Sequence, residues 1–250
     1  MPQRKTLLPR GFFRYSAIEL LVVLLLLIIT APLVQDLPAG DLVEAGLLTL
    51  VMVSAVLAIG GRRRTFIVAL LLVIPAMVGK WANHFSPNLV SPFVYLIPAT
   101  LFFLFVVAQL IYFILRAPRV DANVLCAGLS GYLLLGLLWT PLYLAAWRWN
   151  PAAFTMPGGA TMDGFSALYF SFITLSTVGY GDIAPVSRVA RMLAMMEAIT
   201  GMFYMAVLIS RLVSLHSSAQ PAADSDPKMG DRGPNKQDAD RGPSLSSSKG

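Results

Sequence analysis

Apolar residues run through this chain in long blocks rather than at every second or third position. Residues 17–34 form the first block, broken only by Glu19 near its start, and residues 42–59 form the second, ended by Gly60-Gly61 and Arg62-Arg63-Arg64. Residues 65–78 are a shorter block containing Pro75, which reaches crossing length only if Gly79, Lys80 and Trp81 complete it. Residues 93–115 carry Pro98 and are closed by Arg116-Ala117-Pro118-Arg119; residues 124–147 and 192–215 are the fifth and sixth blocks. A hydrocarbon core takes about 20 apolar residues per helix, within a range of about 17 to 25. The pattern predicts an all-α integral membrane protein with six transmembrane helices. The first block is long for a secretory signal, and Pro32 follows its one plausible cleavage point, so it reads as a span.

Between the fifth and sixth blocks the pattern changes. Residues 163–176 are moderately apolar but too short to cross, which marks a re-entrant helix between two full spans. Asp163 supplies a capping acceptor at its N-terminal end. The Gly-rich stretch that follows cannot stay helical. Irregular backbone at membrane depth persists only where protein buries it or where it lines a water-filled cavity.

Composition agrees with the pattern. The 250 residues are 56% apolar and only 13% charged, about half the charged share of a soluble domain. The net charge of +6 does not call for a nucleic-acid partner, because the basic residues cluster beside the apolar blocks, as membrane topology requires. Arg4, Lys5, Arg10 and Arg14 precede the first block, Arg62 to Arg64 follow the second, and Arg116 and Arg119 follow the fourth. The alternate loops hold only Lys80, Arg148, Arg188 and Arg191. The positive-inside rule then puts both termini in the cytoplasm of a multi-pass cell-membrane protein, with the loop bearing Tyr180 facing outward. Asp36, Asp41, Glu44, Lys80 and His84 read as solvated loop residues, and Arg211 as an interface anchor. Residues 217–250 are rich in Ser, Ala, Pro, Gly, Asp and Lys, the composition of a disordered cytoplasmic tail. The single cysteine, Cys126, excludes an intrachain disulfide.

The run Thr177-Val178-Gly179-Tyr180-Gly181, followed by Asp182, resembles the selectivity filter of the potassium channel superfamily, whose carbonyl oxygens replace the hydration shell of the ion. The resemblance is specific over residues 163–215 and only architectural over the first 120. It implies a re-entrant pore helix and filter loop between the fifth and sixth helices, within a pore domain spanning residues 120–216. It also implies K+ coordination by the carbonyls of Thr177, Val178, Gly179 and Tyr180, with the Thr177 hydroxyl as an inner ligand and Asp182 at the pore mouth. Gly179 and Gly181 suit a backbone that turns its carbonyls repeatedly to one side. One loop supplies a quarter of a ring, so a homotetramer is expected. Potassium passes down its gradient, and no cofactor is implied.

The sixth block adds further candidates. Gly201 falls where the inner helix of the family commonly carries a glycine hinge; close helix packing through a small residue is the alternative. Glu197, one turn earlier, is an intramembrane acid and so a functional candidate. It could brace the pore helix through Ser171 or Thr174, attract cations in the cavity, or respond to protons. Met202, Met205, Ala206 and Ile209 recur at helical spacing as cavity-lining or packing residues.

The first four blocks, within residues 1–119, form an N-terminal membrane domain with a degenerate sensor. The fourth block carries no Lys or Arg, and Gln109 is its only strongly polar residue. Moving one charge through the membrane field is worth about 2.3 kcal/mol per 100 mV, so several are needed for steep gating. Strong voltage dependence is not expected. The reading is a potassium-selective channel, with a non-selective monovalent cation channel as its nearest rival. A non-conducting scaffold or regulatory subunit would have no need of two glycines, a tyrosine and an aspartate here. Ion-coupled transport predicts paired discontinuous helices, and only one re-entrant segment is present. No nucleotide-binding glycine loop, metal-ligand cluster or carboxylate pair points to an enzyme.

Overall fold

The computed structural model describes residues 16–34, 37, 40–59, 63–85, 91–119 and 121–217. The basic residues before the first block, Arg62, Asp36 and the tail from residue 218 lie outside the described residues. Seven helices follow in order: α1 (Ser16–Val34), α2 (Gly40–Ile59), α3 (Arg63–Phe85), α4 (Phe93–Arg116), α5 (Ala122–Trp149), α6 (Gly164–Leu175) and α7 (Arg188–Ser217). Among the described residues, five of these (α1, α3, α4, α5 and α7) are long and apolar enough to cross a membrane. The apolar stretch of α2 is shorter, Leu42–Ala58.

The third helix runs well beyond the apolar block that announced it. It has 23 residues and holds Pro75 within it. Its polar last turns are anchored to α2: Trp81 Nε1 donates to Thr49 Oγ1 at 3.2 Å, and Lys80 Nζ pairs with Glu44 Oε1 at 3.3 Å. Glu44 and Lys80 are therefore helical partners rather than solvated loop residues. Only half-exposed, the pair is worth at most about 1 kcal/mol.

Consecutive helices pack as neighbours: α1 on α2, α2 on α3, α3 on α4, α4 on α5. In α1, α3 and α4 only one stripe faces inward. In α1, Leu20, Leu24 and Leu27 are buried while Val22, Ile29 and Leu33 are exposed. A helix that is apolar on all sides fits a lipid surround.

The longest interior helix is α5, which touches α1, α4, α6 and α7. Asp121 caps it, accepting from the Val124 N–H at 3.0 Å. Small residues let other helices approach its backbone. A β-carbon at Gly136 would lie 2.7 Å from the Phe172 ring, and one at Gly128 2.8 Å from Leu208. One at Gly131 would strike the Tyr204 hydroxyl, which instead donates to the Gly128 carbonyl at 2.6 Å.

The all-α expectation needs one small correction. Phe154–Thr155 (β1) and Ala184–Pro185 (β2) pair antiparallel, Phe154 opposite Pro185 and Thr155 opposite Ala184. This short ladder ties the chain just after α5 to the chain just before α7, so both flanks of α6 and its following loop are fixed together. Tyr143, Phe154 and Phe170 pack edge to face beside it. Gly158 and Gly159, at φ of 63° and 71°, take left-handed backbone that glycine adopts cheaply.

Candidate site at the C-terminal end of helix α6

Helix α6 begins where Asp163 predicts. The Asp163 carboxylate accepts from the Ser166 N–H at 2.7 Å. The Glu44 carboxylate also reaches this end: a β-carbon at Gly164 would lie 2.5 Å from Glu44 Oε1. Two carboxylates at a helix N-terminus complement its partial positive charge.

At the other end the chain leaves the helix without leaving its hydrogen bonds. The Thr177 N–H donates to the Thr174 carbonyl at 2.9 Å, and the Val178 and Gly179 N–H groups both donate to the Ile173 carbonyl, at 3.0 and 3.1 Å. In a trans peptide the carbonyl of each residue points opposite to the N–H of the next. The carbonyls of Ser176, Thr177 and Val178 therefore point away from α6. Positive φ recurs at every second residue: 61° at Thr177, 54° at Gly179 and 82° at Gly181.

The glycines adopt this region cheaply. Threonine does not. A left-handed L-residue costs about 1–2 kcal/mol, and a β-branched one is a true outlier. Backbone strain of this kind gathers at functional sites. Residues 176–182 are exposed in the single chain, with Val178 at 54% and Tyr180 at 73%.

Asp182 is held from within the chain. The Tyr169 hydroxyl donates to Asp182 Oδ2 at 2.8 Å, and this bond holds the Asp182 carboxyl below its ordinary range. Nothing in the sequence pairs residues 169 and 182 until α6 and the loop fold back on each other.

Behind the loop lies a buried polar cluster. Glu197, Ser171 and Tyr143 are each fully buried. The Tyr143 hydroxyl donates to Glu197 Oε2, Ser171 Oγ lies 2.5 Å from Glu197 Oε1, and the same Oγ lies 2.8 Å from the Gly136 carbonyl. Glu197 therefore meets Ser171 of the two hydroxyls expected. Thr174 is replaced by Tyr143, which sequence reasoning missed.

A family described as "Ion channel" matches residues 123–217. Protein LctB of Bacillus caldotenax is 34% identical over 100 residues, covering 38% of this chain and 74% of that protein. Two pore potassium channel c of Oryza sativa subsp. japonica is 38% identical over 64 residues, 26% of this chain and 14% of that protein. Two-pore potassium channel 4 of Arabidopsis thaliana is 42% identical over 57 residues, 23% of this chain and 20% of its own length. The chain belongs to the potassium channel superfamily. It matches only a minor part of the two plant relatives, and no solved structure matches it. Several apolar helices of crossing length agree with a membrane-embedded member of this superfamily.

In this potassium channel superfamily member the remaining sequence candidates lie along α7. Ala190, Glu197, Gly201 and Tyr204 are its buried stripe, while Met202, Met205, Ala206 and Ile209 are exposed in the single chain. Gly201 faces the C-terminal end of α6, where a β-carbon would lie 2.7 Å from the Leu175 carbonyl oxygen and 2.8 Å from Leu175 Cδ1. Close packing thus accounts for a glycine at this position.

Arg211 does more than anchor an interface. Its Nη2 donates to the Ala117 carbonyl at 2.9 Å, and its Nε approaches the Ile114 carbonyl at 3.5 Å. A cation there caps the carbonyl end of α4.

Proposed function

We propose that the chain is a subunit of a homotetrameric, potassium-selective channel whose filter is Thr177 to Gly181. The observation that carries this reading is the direction of the loop backbone. The Thr177, Val178 and Gly179 N–H groups are spent on the Thr174 and Ile173 carbonyls, so the carbonyls of Ser176, Thr177 and Val178 are free to face a common axis. Oxygen ligands so arranged replace the water of a dehydrating potassium ion at nearly equal free energy. The Thr177 hydroxyl adds an inner ligand, and Asp182, bonded to Tyr169, adds negative charge at the mouth.

Exposed Val178 and Tyr180, with the exposed apolar face of α7, supply surface for three further copies around a four-fold axis. Six spans with cytoplasmic termini, α6 as the re-entrant helix and residues 120–216 as the pore domain follow from this reading. Residues 1–119 then form an accessory domain without sensor charges, and conduction is passive and only weakly voltage-dependent. The test is substitution within the filter. In reconstituted protein, Thr177→Ala and Gly179→Ala should lower potassium-over-sodium selectivity while the assembly stays tetrameric. Wild-type selectivity in both would refute the assignment.

A further inference from the structure

The buried cluster behind the loop holds more oxygen contacts than its two hydroxyl protons can fill. Three contacts are present: Tyr143 to Glu197 Oε2, Ser171 Oγ to Glu197 Oε1 at 2.5 Å, and Ser171 Oγ to the Gly136 carbonyl at 2.8 Å. Each oxygen–oxygen approach at these distances needs a proton between the atoms. Tyr143 brings one and Ser171 brings one. If Glu197 were ionised, Ser171 would have to donate to it, and its second contact would set two lone pairs 2.8 Å apart. The Gly136 carbonyl cannot relieve this, since it has no proton to give and already accepts from Thr140 Oγ1 at 3.0 Å.

We propose that Glu197 is carried as a neutral carboxylic acid that positions the pore helix by donating its proton to Ser171. The chain of donors then closes. The Glu197 Oε1–H donates to Ser171 Oγ, Ser171 donates to the Gly136 carbonyl, and Tyr143 donates to Glu197 Oε2. Three protons fill three contacts, and α5, α6 and α7 are joined at one point. Burial argues the same way. Glu197 is 0% exposed, and the ion pair found among the described residues is Lys80 with Glu44, so a carboxylate here would have no cationic partner. An unpaired buried charge is expensive, whereas a fully bonded neutral acid is not. Ser171 lies six residues before Thr177 in sequence, so what fixes Ser171 fixes the helix whose Thr174 and Ile173 carbonyls hold the loop.

The inference deepens the proposed function, and its test separates the two. Infrared spectroscopy of the full chain in lipid at neutral pH should show a protonated-carboxyl C=O stretch that disappears in Glu197→Gln. No such band in the wild type, or an unchanged band in the variant, would overturn the proposal whether or not the protein conducts. The second arm is potassium flux. Glutamine supplies an acceptor for Tyr143 and a donor for Ser171, so Glu197→Gln should assemble and keep wild-type selectivity, whereas Glu197→Leu should lose it. A Glu197→Gln protein that fails to assemble, or that assembles but loses flux, would show that the negative charge is required and would contradict the proposal. A wild type without potassium flux would count against the channel reading alone.

Discussion

Substituting Gly201 by alanine separates two roles that a helix glycine in this position can have. On propensity alone, alanine in place of glycine stabilises a helix by about 1 kcal/mol. Against this stands the contact with α6. The new β-carbon would lie 2.7 Å from the Leu175 carbonyl oxygen and 2.8 Å from Leu175 Cδ1. The leucine side chain can rotate aside, but the carbonyl belongs to the last residue of α6, two residues before Thr177. Overpacking of this kind costs about 1–3 kcal/mol. The net expectation is a destabilisation of about 0–2 kcal/mol, with α6 and the loop pushed away from α7. The assay pairs thermal dissociation of the purified assembly with the potassium–sodium reversal potential. Gly201→Ala should dissociate at or below the wild-type temperature and shift the reversal potential toward zero. A more stable assembly with unchanged selectivity and impaired opening would refute the packing argument and favour a hinge.

Further expectations concern the other contacts between helices. Arg211→Ala removes a charged donor from the carbonyl end of α4; a bond of this kind is worth about 1.5 kcal/mol, or roughly a tenfold shift in an equilibrium. Open probability should move by that order while unit conductance stays constant, and an unchanged open probability would mean that the tie is not part of gating. Gly131→Ala should destabilise by about 1–3 kcal/mol by displacing the Tyr204 hydroxyl. Combined with Tyr204→Phe its cost should be less than additive, and strict additivity in a double-mutant cycle would contradict the contact. Lys80→Met should change thermal stability by no more than about 1 kcal/mol, as befits a half-exposed ion pair. A loss well above that would show a larger role for the Glu44 contact at the start of α6.

Much of the architecture was legible because its signals are local. Apolar block length announced the long helices, Asp163 announced the start of α6, and the two glycines announced the left-handed positions at residues 179 and 181. The third helix does take in Gly79, Lys80 and Trp81, the condition for reaching crossing length. Its end at Phe85 was hard to read because its last turns are polar and are held by pairing with Glu44 and Thr49 of α2. Thr177 was not expected at positive φ, since a β-branched residue is among the least suited to it. The remaining partners were hidden by distance along the chain. Tyr143 and Glu197 are 54 residues apart, and Arg211 and Ala117 are 94 apart. The short strand pair escaped notice because two residues carry no alternation to read.

A potassium-selective pore shows itself in its reversal potential. The full chain is reconstituted into a bilayer with potassium on one side and sodium on the other. The expected value lies close to the potassium equilibrium potential, carried by assemblies of four chains. A clear current reversing near zero would contradict it and leave a pore that does not distinguish the two ions.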